Sequence, residues 1–188
     1  MRAQSVLLPG VILTLVFSIP LHPAAAAEPP QVQYLGDDLA DRISDVIQGW
    51  GELGFNTAVR PATKPPTKLQ IGDKEYARGL GSHANGEITV DLGGQFKTFQ
   101  AEIGIQRQPQ QGEGTVVFQV FVDDEKRFDS GVVTQANPPQ LVTLPVEGAE
   151  ELRLVVTDAG DGITCDCANW AEARLIRDPA ARPQPPRA

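Results

Sequence analysis

Apolar and polar side chains alternate in short segments through the middle and the C-terminal part of the chain. The alternation is clearest at Val116, Phe118, Val120 and Val122, and it ends at Asp123-Asp124, a pair typical of a hairpin turn. Similar segments occur at 88–92, 99–105, 126–130, 141–146, 152–156 and 171–176. About seven short strands, each followed by Gly or Asp turns, predict an all-β, antiparallel β-sandwich.

The N-terminal part has a different period. Apolar residues follow one another at spacings of three and four, which predicts a short N-terminal helical turn: Leu39, Ile43, Val46, Ile47 and Trp50. Pro61, Pro65 and Pro66 predict a loop over 60–67, because proline fixes φ and removes a ladder donor. No long helical pattern lies between the strands, which argues against a parallel α/β sheet.

Both ends of the chain differ from the segment between them. Arg2, the apolar run over 6–19 and the small residues at 24–27 are typical of a signal peptide over 1–27, which predicts a secreted or periplasmic protein. The run is shorter than the roughly 20 residues of a membrane span. Residues 178–188 form a Pro/Arg tail without apolar pattern and are expected to be disordered. Residues 28–177 then form one domain.

The charge of the chain excludes some partners. It carries 24 acidic and 16 basic residues, a formal net charge of −8 at pH 7. Such a surface repels nucleic acid and anionic lipid, so neither is expected as a partner. Neutral ligands are unaffected by this field.

Several segments, taken in order and spacing, resemble one family. They are Tyr-Ala-Arg-Gly-Leu-Gly-Ser-His-Ala at 76–84, Phe-Gln-Ala-Glu-Ile-Gly at 99–104, Val-Val-Thr-Asp-Ala-Gly-Asp-Gly at 155–162 and Ala-Asn-Trp-Ala at 168–171. Over residues 32–177 the chain resembles the NPCBM domain of the galactose-binding-like superfamily. The resemblance implies a jelly-roll sandwich that binds sugars such as galactose, a structural calcium ion in some relatives, and association with a glycoside hydrolase.

Candidate sugar-binding residues lie in the matched segments. Sugar recognition needs an apolar face and a few fixed hydrogen-bonding groups, and five residues are of the right types: His83, Asn85, Asp166, Asn169 and Trp170. The alternative is that Trp170 is a core residue and that His83 is a buried imidazole bonded to nearby backbone. Trp50, in a Gly-flanked turn, is interpreted as a structural plug.

A second concentration of polar residues suggests a calcium site. The loop from Asp158 to Asp166 combines carboxylates with flexible glycines, which can surround Ca²⁺. Asp158, Asp161 and Glu172 are the predicted metal ligands, and Asp37, Asp38 and Asp41 could complete a site if the chain ends meet. The alternative is a turn in which Asp caps backbone amides.

Cys165 and Cys167 are not part of the family pattern. We interpret them as two small buried side chains flanking a turn. A strained disulfide and a zinc site remain alternatives.

The sequence therefore predicts an exported, non-catalytic module that binds a glycan through His83 and the 158–170 region. It contains no Gly-x-Ser-x-Gly elbow, no HExxH helix and no phosphate loop. The alternative is a cell-envelope structural or protein-interaction module that has lost sugar binding. Sugar binding requires His83 and Trp170 to be exposed in one concavity, whereas the alternative allows both to be buried. A hydrolase that uses Asp158 or Asp166 is a third option.

Overall fold

The computed structural model describes residues 31–108, 112, 114–177 and 179. The predicted signal peptide, 1–27, and almost all of the predicted tail, 178–188, lie outside these residues. Within the described part, no helix is long and apolar enough to cross a membrane.

Thirteen strands and one turn of 3₁₀ helix, Ala40–Arg42, form the described part. In chain order the strands are β1 Val32–Tyr34, β2 Ile43–Ile47, β3 Gly54–Phe55, β4 Leu69–Ile71, β5 Lys74–Tyr76, β6 Gly79–His83, β7 Gly86–Asp91, β8 Phe96–Ile105, β9 Thr115–Val122, β10 Glu125–Thr134, β11 Gln140–Pro145, β12 Glu151–Thr157 and β13 Cys167–Arg177.

Two antiparallel sheets contain most of these strands. One has the order β11-β8-β13-β6-β3, with β1 paired to β13, and the other has the order β10-β9-β12-β7-β2. β4 and β5 form a separate hairpin. The predicted antiparallel β-sandwich is confirmed, and each segment predicted from alternation lies within or overlaps a strand.

The predicted helical turn is correct only over Ala40–Arg42. From Ile43 to Ile47 the chain is strand β2, which pairs with β7 at the sheet edge. The spacing was misleading because Val46 and Ile47 are exposed and do not form an apolar helix face. Their β-branched side chains favour a strand.

The main core lies between the two sheets. Trp170 on β13 is fully buried there and meets Phe118 of β9 edge to face, with ring centroids 5.0 Å apart. An edge-to-face pair of this kind adds to the free energy gained from burial. The two sheets therefore meet at an aromatic contact near the middle of the sandwich.

A bulge in β13 divides its apolar residues between two cores. Trp170, Ala173 and Leu175 belong to the main core, whereas Ala171 packs with Leu69, Ile71 and Tyr76 in a second cluster. The pairing of β13 with β8 shifts register between Ala171 and Arg174, and Glu172 there has φ +51°. An inserted residue reverses the inward and outward positions, so the alternation predicted for Ala171, Ala173 and Leu175 is wrong at Ala171.

Replacing Trp170 should destabilise the sandwich strongly. We expect Trp170→Ala to lower the free energy of unfolding by about 3–5 kcal/mol, because it leaves a cavity in the main core. Trp50, 44% exposed, provides the matched control, and Trp50→Ala should cost less than about 1 kcal/mol. Urea unfolding of both variants makes the comparison. Equal losses would contradict the placement of the two indoles.

Candidate functional site

A cavity of about 240 Å³ lies where the loop around Trp50 and the loop before β13 meet the end of β6. Six of the described residues line it: Trp50, His83, Ile163, Thr164, Cys165 and Cys167. The Trp50 ring is 44% exposed, and its centroid is 5.4 Å from that of His83 at an interplanar angle of 50°. The cavity therefore combines an accessible aromatic surface with an imidazole.

Two glycines position Trp50. A Cβ at Gly49 would collide with the carbonyl of Ala84, and Gly51 has φ +72°, a conformation that L side chains rarely adopt. The backbone can therefore pass directly over the Ala84–Asn85 segment and place the indole next to His83.

His83 is held at both its backbone and its ring. Its backbone N–H donates to Gln48 Oε1 at 2.8 Å, and its Nδ1 donates to the Ala84 carbonyl at 2.6 Å. Burial lowers the pKa of His83 below its usual value. A neutral ring whose Nδ1 carries the proton has Nε2 as an acceptor, so the imidazole can accept a hydrogen bond from a hydroxyl.

The structure does not support sugar-binding roles for Trp170 and Asn169. Both are fully buried. Trp170 lies in the main core, and Asn169 Nδ2 donates to Gln106 Oε1 at 2.6 Å and to the Gln70 carbonyl at 3.3 Å. Neighbouring positions of a central strand face opposite sides, and both sides of β13 are covered here, so neither side chain is accessible to a sugar in this arrangement.

Asp166 and Asn85 connect loops near the cavity without lining it. Asp166 is fully buried, and its Oδ1 accepts a hydrogen bond from the Thr115 backbone N–H at 3.0 Å. Exposed Asn85 accepts from the Asp158 backbone N–H at 3.0 Å. Of the five predicted sugar-binding residues, only His83 therefore lines the cavity.

The predicted calcium ligands do not come together. Asp158 Oδ1 accepts from the Gly160 N–H at 3.1 Å, and Asp161 Oδ2 accepts from Thr115 Oγ1 at 2.6 Å. Glu172 lies elsewhere, in the β13 bulge, 3.7 Å from Arg174. The described residues contain no group of three or more His, Cys, Asp or Glu side chains that could hold a metal ion. The set Asp158, Asp161 and Glu172 thus does not fit a calcium ion.

The first and last strands of the described part meet, as the second calcium hypothesis requires. β1 pairs with β13, and Tyr34 lies opposite Arg174. The Asp37 carboxylate near this contact is already engaged, since it accepts from Arg78 Nε at 2.8 Å and from Asn56 Nδ2 at 2.5 Å. Asp37 therefore serves as an ion-pair partner in this arrangement.

The two cysteines are free thiols in the cavity wall. Cys165 lies in a turn with φ +65°, and Cys167 begins β13. Burial raises the pKa of Cys167 to about 11, so this thiol is protonated at neutral pH and is a poor nucleophile or metal ligand. The predicted burial is confirmed for Cys167 but not for Cys165, which is only partly buried, and their position in the cavity was not predicted.

Trp50 is the main residue that sequence reasoning misassigned. It is exposed at the cavity and does not plug the core. The available signal was its position between two glycines in a loop, since loops on a rigid scaffold often carry binding residues. Nothing local to the sequence showed that this loop lies beside His83.

The profile of the family described as "NPCBM/NEW2 domain" matches residues 34–176. Among curated proteins, the chain is 29% identical over 166 residues to a protein named "Putative endo-alpha-N-acetylgalactosaminidase" from Renibacterium salmoninarum, which covers 87% of this chain and 10% of that protein. It is 32% identical over 108 residues to alpha-1,3-galactosidase B from Akkermansia muciniphila, covering 55% and 13%. The chain therefore spans about a tenth of the length of these relatives.

Solved structures show the same fold. The CBM51 module of a Clostridium perfringens GH95 protein, in complex with methyl-galactose, superposes with a TM-score of 0.68 at 26% identity and covers 77% of this chain and 99% of that one. A structure of the M60 catalytic domain with the CBM51-1 and CBM51-2 domains of C. perfringens ZmpB also superposes, with a TM-score of 0.68 at 29% identity, covering 78% and 15%.

The buried Asp166 should make stability depend on pH. Burial raises its pKa from 3.8 to about 6, so the folded state binds the proton more tightly than the unfolded state. The protonated carboxyl therefore stabilises the folded state below about pH 4, and this stabilisation is lost as the pH rises through about 6. As the pH rises from 4 to 7, the free energy of unfolding of Asp166→Asn should therefore increase by up to about 3 kcal/mol relative to that of the wild type.

Denaturant unfolding at pH values from about 4 to 7 measures this difference. Asp124→Asn is the matched control, since Asp124 is 87% exposed and its φ of +65° suits asparagine. The control should follow the wild-type curve. An Asp166→Asn curve parallel to that of the wild type would show that the carboxyl titrates normally.

Proposed function

The chain belongs to the NPCBM/NEW2 domain family, and on this premise we propose that it is an exported, non-catalytic module that binds a galactose-type terminal sugar beside Trp50. The observation that carries the proposal is an exposed indole next to a neutral imidazole in one cavity. Catalysis would come from a glycoside hydrolase with which the module is associated.

The cavity suits one sugar ring. An aromatic face packs against the C–H side of a sugar, and a few polar groups fix the hydroxyls. Trp50 offers the face, while the His83 ring and the Thr164 hydroxyl offer hydrogen-bonding groups in the same lining. The volume of about 240 Å³ is below the roughly 300–1,000 Å³ of sites for drug-sized ligands, which favours a monosaccharide unit over a long chain.

The choice of sugar rests on a relative. The superposed CBM51 module binds methyl-galactose in its solved structure, and the second curated relative is named as a galactosidase. Both names favour a galactose-type ligand for the present cavity.

The carboxylates support a non-catalytic role. Glycoside hydrolysis needs two carboxyl groups on either side of the sugar, and none of the described residues that line the cavity is acidic. Asp158 and Asp161 accept hydrogen bonds from loop donors, and Asp166 is buried. The described residues of the cavity thus offer no acid–base pair that could cleave a bound sugar, which supports a binding role.

The protein-interaction alternative predicted that both His83 and Trp170 could be buried. Both are, since His83 is 5% and Trp170 0% exposed. Trp50 nevertheless gives the cavity the aromatic surface that the sugar-binding hypothesis had assigned to Trp170. For this reason we favour sugar binding, and a folded protein that binds no glycan would favour the alternative.

Removing the Trp50 indole should abolish most of the affinity. We expect Trp50→Ala to weaken binding to a galactose-terminated glycan about tenfold or more, because a buried aromatic contact of about 1.4 kcal/mol or more is lost. Titration calorimetry with methyl-galactoside and a glycan array measure the effect. Phe55→Ala is the matched control, since Phe55 is 42% exposed and is not in the cavity lining. Equal loss in both variants, or none in Trp50→Ala, would contradict the assignment.

A further inference from the structure

A groove next to the cavity has the opposite charge from the chain as a whole. It has a volume of about 630 Å³ and shares Trp50 and Cys167 with the cavity. Among the described residues, one acidic residue and four basic ones line it: Glu75, Arg60, Lys64, Lys68 and Arg107. The chain has 24 acidic and 16 basic residues. The groove thus gathers a quarter of the basic residues and one acidic residue, which makes it locally positive.

Arg60 and Lys64 have no carboxylate partner in the described part of the chain. Arg60 Nη1 donates to the carbonyl of Lys64 at 2.8 Å and to those of Pro61 and Ala62 at 3.4 Å. These carbonyls orient the guanidinium without neutralising it. A fixed guanidinium with free N–H groups is suited to a carboxylate or a sulfate.

The other two basic residues form ion pairs that a ligand can replace. Lys68 pairs with Glu75 at 2.6 Å, and Arg107 pairs with Asp73 at 2.7 Å. The side chains of Lys68 and Asp73 are 74% and 97% exposed. Exposed pairs of this kind contribute little stability, so exchanging one carboxylate for that of a ligand costs little.

The loop that carries Arg60 and Lys64 is restrained. Pro61, Pro65 and Pro66 fix φ at three positions. The Lys64 N–H donates to the Pro61 carbonyl at 3.0 Å, and the Ala58 N–H donates to the Thr67 carbonyl at 2.9 Å across the base of the loop. Less conformational entropy is therefore lost when the loop binds a ligand.

We propose that this groove is a subsite for an anionic sugar, one that carries a carboxylate or a sulfate, next to the terminal sugar at Trp50. This proposal rests on the proposed function, because the groove and the cavity share Trp50. Charge complementarity favours an anionic group at this place on an otherwise acidic chain. The apolar walls from Ala58, Val59 and Pro65 suit a sugar ring better than a free inorganic anion.

The test compares matched ligands and matched variants. Lactose, sialyllactose and sulfated lactose are titrated into the full chain at low and high salt. The same titrations are made with the Arg60→Gln/Lys64→Gln double variant and with Arg127→Gln, which removes an exposed charge from β10. Sialyllactose carries a carboxylate and sulfated lactose a sulfate, so comparing these two ligands shows which anionic group the groove binds.

We expect at least one anionic ligand to bind about fivefold tighter than lactose at low salt, and the preference to shrink with salt. The double variant should lose the preference and keep lactose binding, while Arg127→Gln keeps both. Equal affinity for all three ligands, or a preference that persists in the double variant, overturns the subsite and leaves the proposed function standing. No binding to any ligand contradicts both.

Discussion

Strand β13 has to satisfy three neighbours at once, and this constraint determines where the chemistry of the molecule lies. It pairs with β8 along most of its length, with β6 at its start and with β1 near its end. Both of its faces are covered, so Trp170 enters the main core and Asn169 bonds to Gln106 on the other side. Trp170 and Asn169 are therefore closed to a ligand, and the accessible groups next to β13 lie in the loop at its start.

The acidic residues of the 158–166 loop, just before β13, are used for hydrogen bonds to neighbouring segments. Asp166 and Asp161 accept hydrogen bonds from Thr115 at the start of β9, and Asp158 Oδ2 accepts one from Asn85 Nδ2, so each carboxylate links the 158–166 loop to a neighbouring segment. These contacts fix the 158–166 loop as one wall of the cavity, with Trp50 and His83 also in its lining. A rigid wall of this kind lets a shallow site bind without a large ordering cost.

Alternation was enough to predict β7 to β13, because it depends on local burial, as at Val116 to Val122, but it did not predict the shorter strands β1 to β6. It failed at Ala171, where a bulge changes the face, and at Val46 and Ile47, where a helical spacing lies on an edge strand. The site was harder to predict. Trp50 and His83 are 33 positions apart in the sequence. Only the tertiary structure shows that Trp50 is exposed and that Trp170 is buried. Net charge likewise predicted an acidic surface but not the basic groove beside Trp50, since composition does not show where charges gather.

The most direct test of sugar binding at Trp50 is tryptophan fluorescence during titration with methyl-galactoside, in the wild type and in Trp50→Phe. The chain has two tryptophans, Trp50 and Trp170. If the sugar packs on Trp50, the wild type shows a saturable change in emission that is absent in Trp50→Phe, because Trp170 is fully buried in the main core. A saturable change of the same size in Trp50→Phe would show that the sugar changes the emission of Trp170, and it would contradict binding at Trp50.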